Sequence, residues 1–214
     1  MFQIIRYNIK DHAKEVQSLL EKYIVPTYLR RMGLTPEERM EYVDFKPVLD
    51  PKGAFNKKFE PNSLVAVDND GKMIGCQTSF YMDTYSYLED LNKMIEHFAH
   101  KQNDCLQSNF KDLLIEAHEY NKVVEKFPGT DRIVFLESTI VDPQWRKQMI
   151  STELHKESLN ILDDGELVLL EGMMPTRVNV DKDVQKHLRI GFKLHATLFK
   201  YDGYGGPILY RPPN

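Results

Sequence analysis

The sequence predicts an α/β fold on a sheet whose second and third strands form a hairpin. Three observations carry this. In "SLVAVDNDGKMIGCQTSFYM", two apolar runs flank Asp68-Asn69-Asp70-Gly71, the turn chemistry of a β-hairpin. "IVFLESTIV" is a strongly apolar run that reads as a central strand, and an amphipathic helix follows it. Strand-like and helix-like segments succeed one another in the order β-α-α-β-β-(α-α)-β-α-β-α-β.

Taken in order, "FQIIRYNI" is rich in β-branched and aromatic residues and reads as the first strand. "KDHAKEVQSLLEKYI" sets Ala13, Val16, Leu19, Leu20 and Tyr23 at helical spacing behind Asp11, a plausible N-cap, and Pro26 ends or kinks that helix. "LTPEERMEYVDF" offers a second helix, with Thr35 as cap, Pro36 at the first helical position and Glu38 three residues after the cap. The hairpin follows. Between Tyr85 and Lys126, Leu88, Leu91, Ile95 and Phe98 space as one helix, and Phe110, Leu113, Leu114 and Ala117 as another. After "IVFLESTIV", the stretch "VDPQWRKQMISTELHKESL" opens a helix on which Met149, Ile150, Leu154, Ser158 and Ile161 recur every three to four residues. "ELVLLEGMM" is a strand. "NVDKDVQKHLRIGF" is a short helix closed by Gly191 in the left-handed region. "KLHATLFKYDGY" is the last strand.

A chain of 214 residues suits one domain spanning residues 1–214, with room for a substantial core. Hydrophobic residues at 42% and charged residues at 28% place it among soluble globular chains. A net charge of -4 implies no broad basic surface and makes nucleic acid a poor expectation as partner. Cys76 and Cys105 make neither a metal motif nor a disulfide framework, and no metal site is expected. No run has the apolar length to span a bilayer, and the N-terminus turns polar within a few residues. The expectation is a cytoplasmic protein with no membrane partner.

Read for chemistry, the junction from Val141 to Ser151 places two cations, Arg146 and Lys147, at a helix start, where unpaired N–H groups and a partial positive charge suit an anion. The same segment also suits an ordinary amphipathic helix with an N-terminal Arg-Lys pair. Glu137 stands inside an apolar strand, where buried neighbours raise a carboxyl pKa and make a base. Glu171 carries the same argument on the next strand.

"STIVDPQWRKQMIS" resembles the strand-loop-helix of the GNAT superfamily, the acetyl-CoA-dependent N-acetyltransferases, typically V-x-P-x-Y-R-G-x-G-I-G/A. "DVQKHLRIGF" resembles that family's late helix, which commonly ends Tyr-x-Lys-Leu-Gly-Phe. The ending "FKLHATLFKYDGYGGPILYRPPN" and the helical insertion before "IVFLESTIV" are similar to the invertebrate arylalkylamine and dopamine N-acetyltransferases. The resemblance implies a mixed, mostly antiparallel central sheet flanked by helices, with the helical insertion before the fourth strand. It implies acetyl-CoA as cosubstrate and a small amine, with arylalkylamines as one such class, as acceptor. On that reading Ile140 and Val141 orient the acetyl arm, and Arg146, Lys147, Gln148, Met149, Ile150 and Ser151 hold the pyrophosphate. Glu137 is the candidate base, and His187, at the tyrosine's place, the candidate proton donor as its cation. Arg177, Lys182 and Lys186 are candidates for the 3′-phosphate, and Tyr23, Tyr28, Tyr42, Tyr81, Tyr85 and Tyr87 for the acceptor.

The chain departs from the family pattern at defined places. Lys147 and Met149 stand where the motif has its two glycines, and Ser151 where it has glycine or alanine. Val25 stands where the arylalkylamine subgroup has a glutamate before proline, and "NVDKDVQKH" lacks the subgroup's late-helix serine. Two other readings therefore stand beside the enzyme. One is a GNAT-fold binding or regulatory protein with weak or no acetyl transfer. The other is an interaction domain presenting the inserted helices, residues 86–126.

Overall fold

The computed structural model describes residues 1–23, 62–130, 132–163, 165–172, 177–199 and 205–213. The helix expected from Thr35 lies outside the described residues, as do Val25, Tyr28 and Tyr42. The described elements are β1 (Phe2–Arg6), α1 (Ile9–Tyr23), β2 (Leu64–Asp68), β3 (Met73–Tyr81), α2 (Thr84–Phe98), α3 (Asp104–Val124), β4 (Ile133–Val141), α4 (Ile150–Ile161), β5 (Leu167–Glu171), α5 (Arg177–Leu188), β6 (Lys193–Phe199) and β7 (Gly205–Arg211). The strands form a seven-stranded sheet in the order β1-β2-β3-β4-β5-β7-β6. β1 with β2, β2 with β3, β5 with β7 and β6 with β7 pair antiparallel. The fold is the expected α/β class, a mixed, mostly antiparallel sheet flanked by helices, with α2 and α3 inserted before the fourth strand.

The chain forms two compact units. One gathers β1, α1, β2, β3, the Leu136–Val141 part of β4 and α4. Its hairpin turn is closed by Gly71 at φ 78, with the Gly71 N–H on the Asp68 carbonyl at 3.1 Å. The Asp68 carboxylate accepts from the Asp70 and Lys72 N–H groups, so the turn's donors are satisfied locally. Leu64 and Ala66 of β2, Ile74 of β3, and Ile150 and Leu154 of α4 form its core, with Phe2, Ile4, Val141 and Trp145 packed against it. Burying side chains of this size contributes about 1.5–3 kcal/mol each, so α4 is held by its apolar stripe.

The other unit gathers α2, α3, the start of β4, β5, α5, β6 and β7. Asp83 caps α2 by accepting from the Tyr85 and Ser86 N–H groups, and Asn103 caps α3 through the Leu106 N–H. The Ser86 hydrogen bonds hold the Asp83 carboxyl below its usual range. Tyr120 and Val123 of α3 pack on Leu167 and Leu169 of β5 and Ile208 of β7. Tyr120 meets Phe135 edge-on at 5.4 Å.

The C-terminal segment differs from the sequence reading. A seventh strand, β7, follows the strand expected as the last, and it lies between β5 and β6. Pro207 has no N–H to donate to a ladder. Pairing with β5 begins only at Ile208, opposite Glu171, so Pro207 stands just past the end of that ladder. Its carbonyl instead accepts the Gly172 N–H at 3.0 Å.

Candidate functional site

The β4–α4 junction lies within the first unit and keeps a defined geometry. At its entry, the Asp142 N–H donates to the Ile74 carbonyl at 2.9 Å, pinning the end of β4 to β3. The Asp142 carboxylate accepts from the Gln144 N–H at 2.9 Å and caps a single 3₁₀ turn, Pro143–Trp145. Trp145 packs against the core, and the Arg146 Nε–H donates to the Val141 carbonyl at 3.3 Å. The turn is thus closed at both ends before the chain reaches the helix.

Then come two left-handed residues. Lys147 has φ 70 and Met149 φ 63, the only positive-φ non-glycine residues among those described. These are the two positions where the resembling motif carries glycine. A side chain in this region costs roughly 1–2 kcal/mol over the ordinary helical well, so the surroundings impose the conformation. Met149 is the N-cap residue of α4, and its carbonyl accepts from Thr152 and Glu153. The Met149 side chain makes no capping hydrogen bond. The methionine was expected on the apolar stripe of the helix. It is instead 61% exposed and precedes the first helical residue, because a left-handed residue cannot continue a right-handed stripe.

Arg146, Lys147 and Gln148 are exposed, Ser151 is half-buried, and Ile150 is buried in the core. Glu153 brings an acidic group into the first turn, where Lys156 pairs with it at 2.7 Å. Ile140 is buried and Val141 half-buried at the end of β4. A Cβ on Gly75 of β3 would meet the Ile140 carbonyl at 2.8 Å. Gly75 is therefore needed for β3 to lie against Ile140 and Val141. In the sequence it was one more residue of an apolar run.

Tested against a coenzyme A pyrophosphate, these residues fit. The backbone turns as the glycine loop requires, a helix start whose N-cap side chain makes no capping bond follows it, two exposed cations flank it, and the Met149 side chain projects to solvent.

Behind the junction lies a buried polar chain that sequence reasoning missed. Gln77 of β3 is 0% exposed and His155 of α4 is 4% exposed. Thr139 of β4 joins them: its hydroxyl donates to Gln77 Oε1 and lies 2.7 Å from His155 Nε2. Gln77 Nε2 donates to the Thr78 carbonyl at 2.8 Å. Glu137 is half-buried, and strand alternation puts it on the same face of β4 as Thr139.

His187 belongs to the second unit, on α5, and is 2% exposed. Its Nδ1–H donates to the Asp183 carbonyl at 2.8 Å, the Asp183 carboxylate lies 3.4 Å away, and the Phe192 ring meets it edge-on. Burial pushes its pKa below the ordinary value, opposed by Asp183. The cation expected from the sequence is disfavoured here; a neutral ring with Nδ1–H leaves Nε2 as an acceptor. Among the other candidates, Lys182 is exposed and Lys186 half-buried, its pKa lowered by burial. The side chains of Arg177 and Glu171 lie outside the described residues. Tyr81 and Tyr85 are exposed, and Tyr87 packs on the second core. Among the described residues no group of His, Cys, Asp and Glu is placed to hold a metal ion, and no helix is long and apolar enough to cross a membrane.

No family model and no curated protein matches the sequence. Solved structures do match. Arylalkylamine N-acetyltransferase 2 from Aedes aegypti superposes with a TM-score of 0.65 at 14% identity, over 100% of this chain and 99% of that one. A polyamine N-acetyltransferase from Drosophila melanogaster gives 0.61 at 14% identity, over 98% of each chain. A histone acetyltransferase HPA2 and related acetyltransferase from Corynebacterium glutamicum gives 0.57 at 15% identity, over 100% of this chain and 97% of that one. Sheet order, inserted helices and these superpositions agree that the chain has the fold of the GNAT acetyltransferases.

Proposed function

We propose that the protein is an acetyl-CoA-dependent N-acetyltransferase acting on a small amine, with an arylalkylamine as the favoured acceptor class. The observation that carries the reading is the left-handed backbone at Lys147 and Met149. A chain that had merely lost the loop's glycines would relax to a cheaper conformation; this one keeps the costly shape at both places. The acetyltransferases that superpose on the chain support the reaction class, and two of them act on small amines by name.

In this reading the α4 start and the exposed Arg146 and Lys147 bind the pyrophosphate, and the Ile140–Val141 end of β4 orients the thioester arm. Much of the rate comes from holding amine and thioester together. The amine nitrogen attacks the thioester carbonyl carbon, the carbon–sulfur bond breaks, and the thiolate leaves with the proton that the attacking nitrogen sheds. Glu137 is the proposed base for the ammonium proton. His187, neutral and oriented by Asp183, is proposed as a proton acceptor rather than the cationic donor expected from the sequence.

Acetyl-CoA at a hundredfold its Kd adds about 2.7 kcal/mol of stability. For a chain this size that is a rise of roughly 5–10 °C in melting temperature. No shift at millimolar acetyl-CoA overturns the reading. One observation favours a second reading, a binding or regulatory protein: Lys147 and Met149 set Cβ atoms where glycine leaves the phosphates room. A melting shift without turnover of any arylalkylamine or polyamine selects it.

A further inference from the structure

The chain from His155 through Thr139 to Gln77 crosses three elements of one unit, α4, β4 and β3. Its polarity can be read. Thr139 spends its single hydroxyl hydrogen on Gln77 Oε1, so its oxygen accepts from His155 Nε2–H. Gln77 sends its amide hydrogen to the Thr78 carbonyl, which orients the amide with Oε1 toward Thr139.

The apolar contacts between α4 and the sheet, through Ile150 and Leu154, set a distance but are not directional. A hydrogen bond is directional and fixes where along its axis the helix stops. The bond stands where such a stop matters. His155 lies one turn beyond Ser151, and Thr139 lies two residues before Val141. The link therefore joins the start of α4 to the end of β4, the two places between which the glycine-free turn is stretched.

We propose that His155 is a positioning residue: through Thr139 and Gln77 it sets the register of α4 on β4, so that a ligand engaging both the strand end and the helix start finds them at the right separation. The proposal rests on the acetyl-CoA reading above. It predicts a distinction between ligands. Acetyl-CoA touches strand and helix and senses their register. Its nucleotide half, adenosine 3′-phosphate 5′-diphosphate, touches only the helix start and does not.

The test is calorimetric titration of both ligands into the full chain and its variants, well below their melting temperatures. His155→Leu and Thr139→Val are expected to weaken acetyl-CoA about tenfold while changing the nucleotide half by no more than about twofold. His155→Gln, whose amide reaches the Nε2 position with a donor, is expected to restore acetyl-CoA binding to within about threefold of the parent. Equal loss of both ligands, or no loss of either, in folded Thr139→Val overturns the proposal, as does failure of His155→Gln to recover. If the parent itself binds neither ligand, the acetyl-CoA reading falls and takes this one with it. If the parent binds and the variants bind alike, only the positioning role falls.

Discussion

Two helix ends, one in each unit, are built in opposite ways. α5 ends in a turn that needs a left-handed residue and has a glycine there: Gly191 at φ 102, with the Phe192 N–H on the His187 carbonyl at 3.1 Å and the Gly191 N–H on Leu188 at 3.2 Å. A Cβ at Gly191 would meet nothing within 4 Å, so the glycine serves the backbone alone. α4 begins in a turn of the same handedness, but with Lys147 and Met149 in the left-handed places. At the first turn, residue and conformation agree. At the second, the conformation is held against the residues by the Asp142 cap, the half-buried Trp145 and buried Ile150, and the two Met149 carbonyl bonds. Strain kept where a cheaper shape was available points to use, and so the argument for a ligand site sits at α4.

The largest test of this contrast is Gly191→Val. A β-branched residue at that φ is expected to cost about 2 kcal/mol, lowering the melting temperature by roughly 4–8 °C. A change below about 1 °C would show that the turn re-forms in another shape and that glycine was not required.

Met149→Gly should act in the opposite direction and less strongly. Relieving a left-handed side chain returns about 1–2 kcal/mol, and the looser unfolded glycine takes back about 0.5–1. The net expectation is a gain of up to about 1.5 kcal/mol, measured by denaturant titration. A loss would mean that the methionine contributes packing its exposure does not reveal. Acetyl-CoA affinity should stay within about threefold, because the side chain already projects to solvent; a tenfold gain would identify it as an obstacle.

The smallest effect lies at His187, whose carbonyl closes the glycine turn. Its folded pKa is lowered by burial from the ordinary 6.5. Below 6.5 the unfolded chain therefore takes up a proton that the folded chain resists. The stability from its neutral form is full above that value and is lost as pH falls below it. His187→Gln should flatten the acid side of the melting-temperature profile while leaving the neutral side parallel to the parent. An unchanged acid slope would assign that slope to the carboxylates.

The described helices and most described strands were legible because their signals are short-ranged. Asp68 to Gly71 announced the hairpin, the leucine and phenylalanine spacing announced α2 and α3, and Gly191 announced the end of α5. What failed had distant causes. β7 was not expected, since "KLHATLFKYDGY" was read as the last strand, and only pairing with β5 on one side and β6 on the other makes it one. Met149 was placed on a buried stripe because its spacing fits one, and only the closed turn before α4 forces it out. His155 was one more residue on an amphipathic helix, and nothing near it in sequence pointed to Thr139 or Gln77.

The sequence by itself determined the α/β class, the order of the described elements through the last helix, and the place of the strand-to-helix junction before Ile150, since periodicity, capping and turn chemistry act within a few residues. Only the tertiary structure decided that the loop keeps its left-handed shape without glycine, that burial disfavours the His187 cation, and that His155 reaches the central strand. Each of those depends on burial and directional contacts between groups far apart in the chain, with Thr139 and Gln77 separated by 62 positions. Local sequence carries no record of such contacts until the sheet assembles and brings them together.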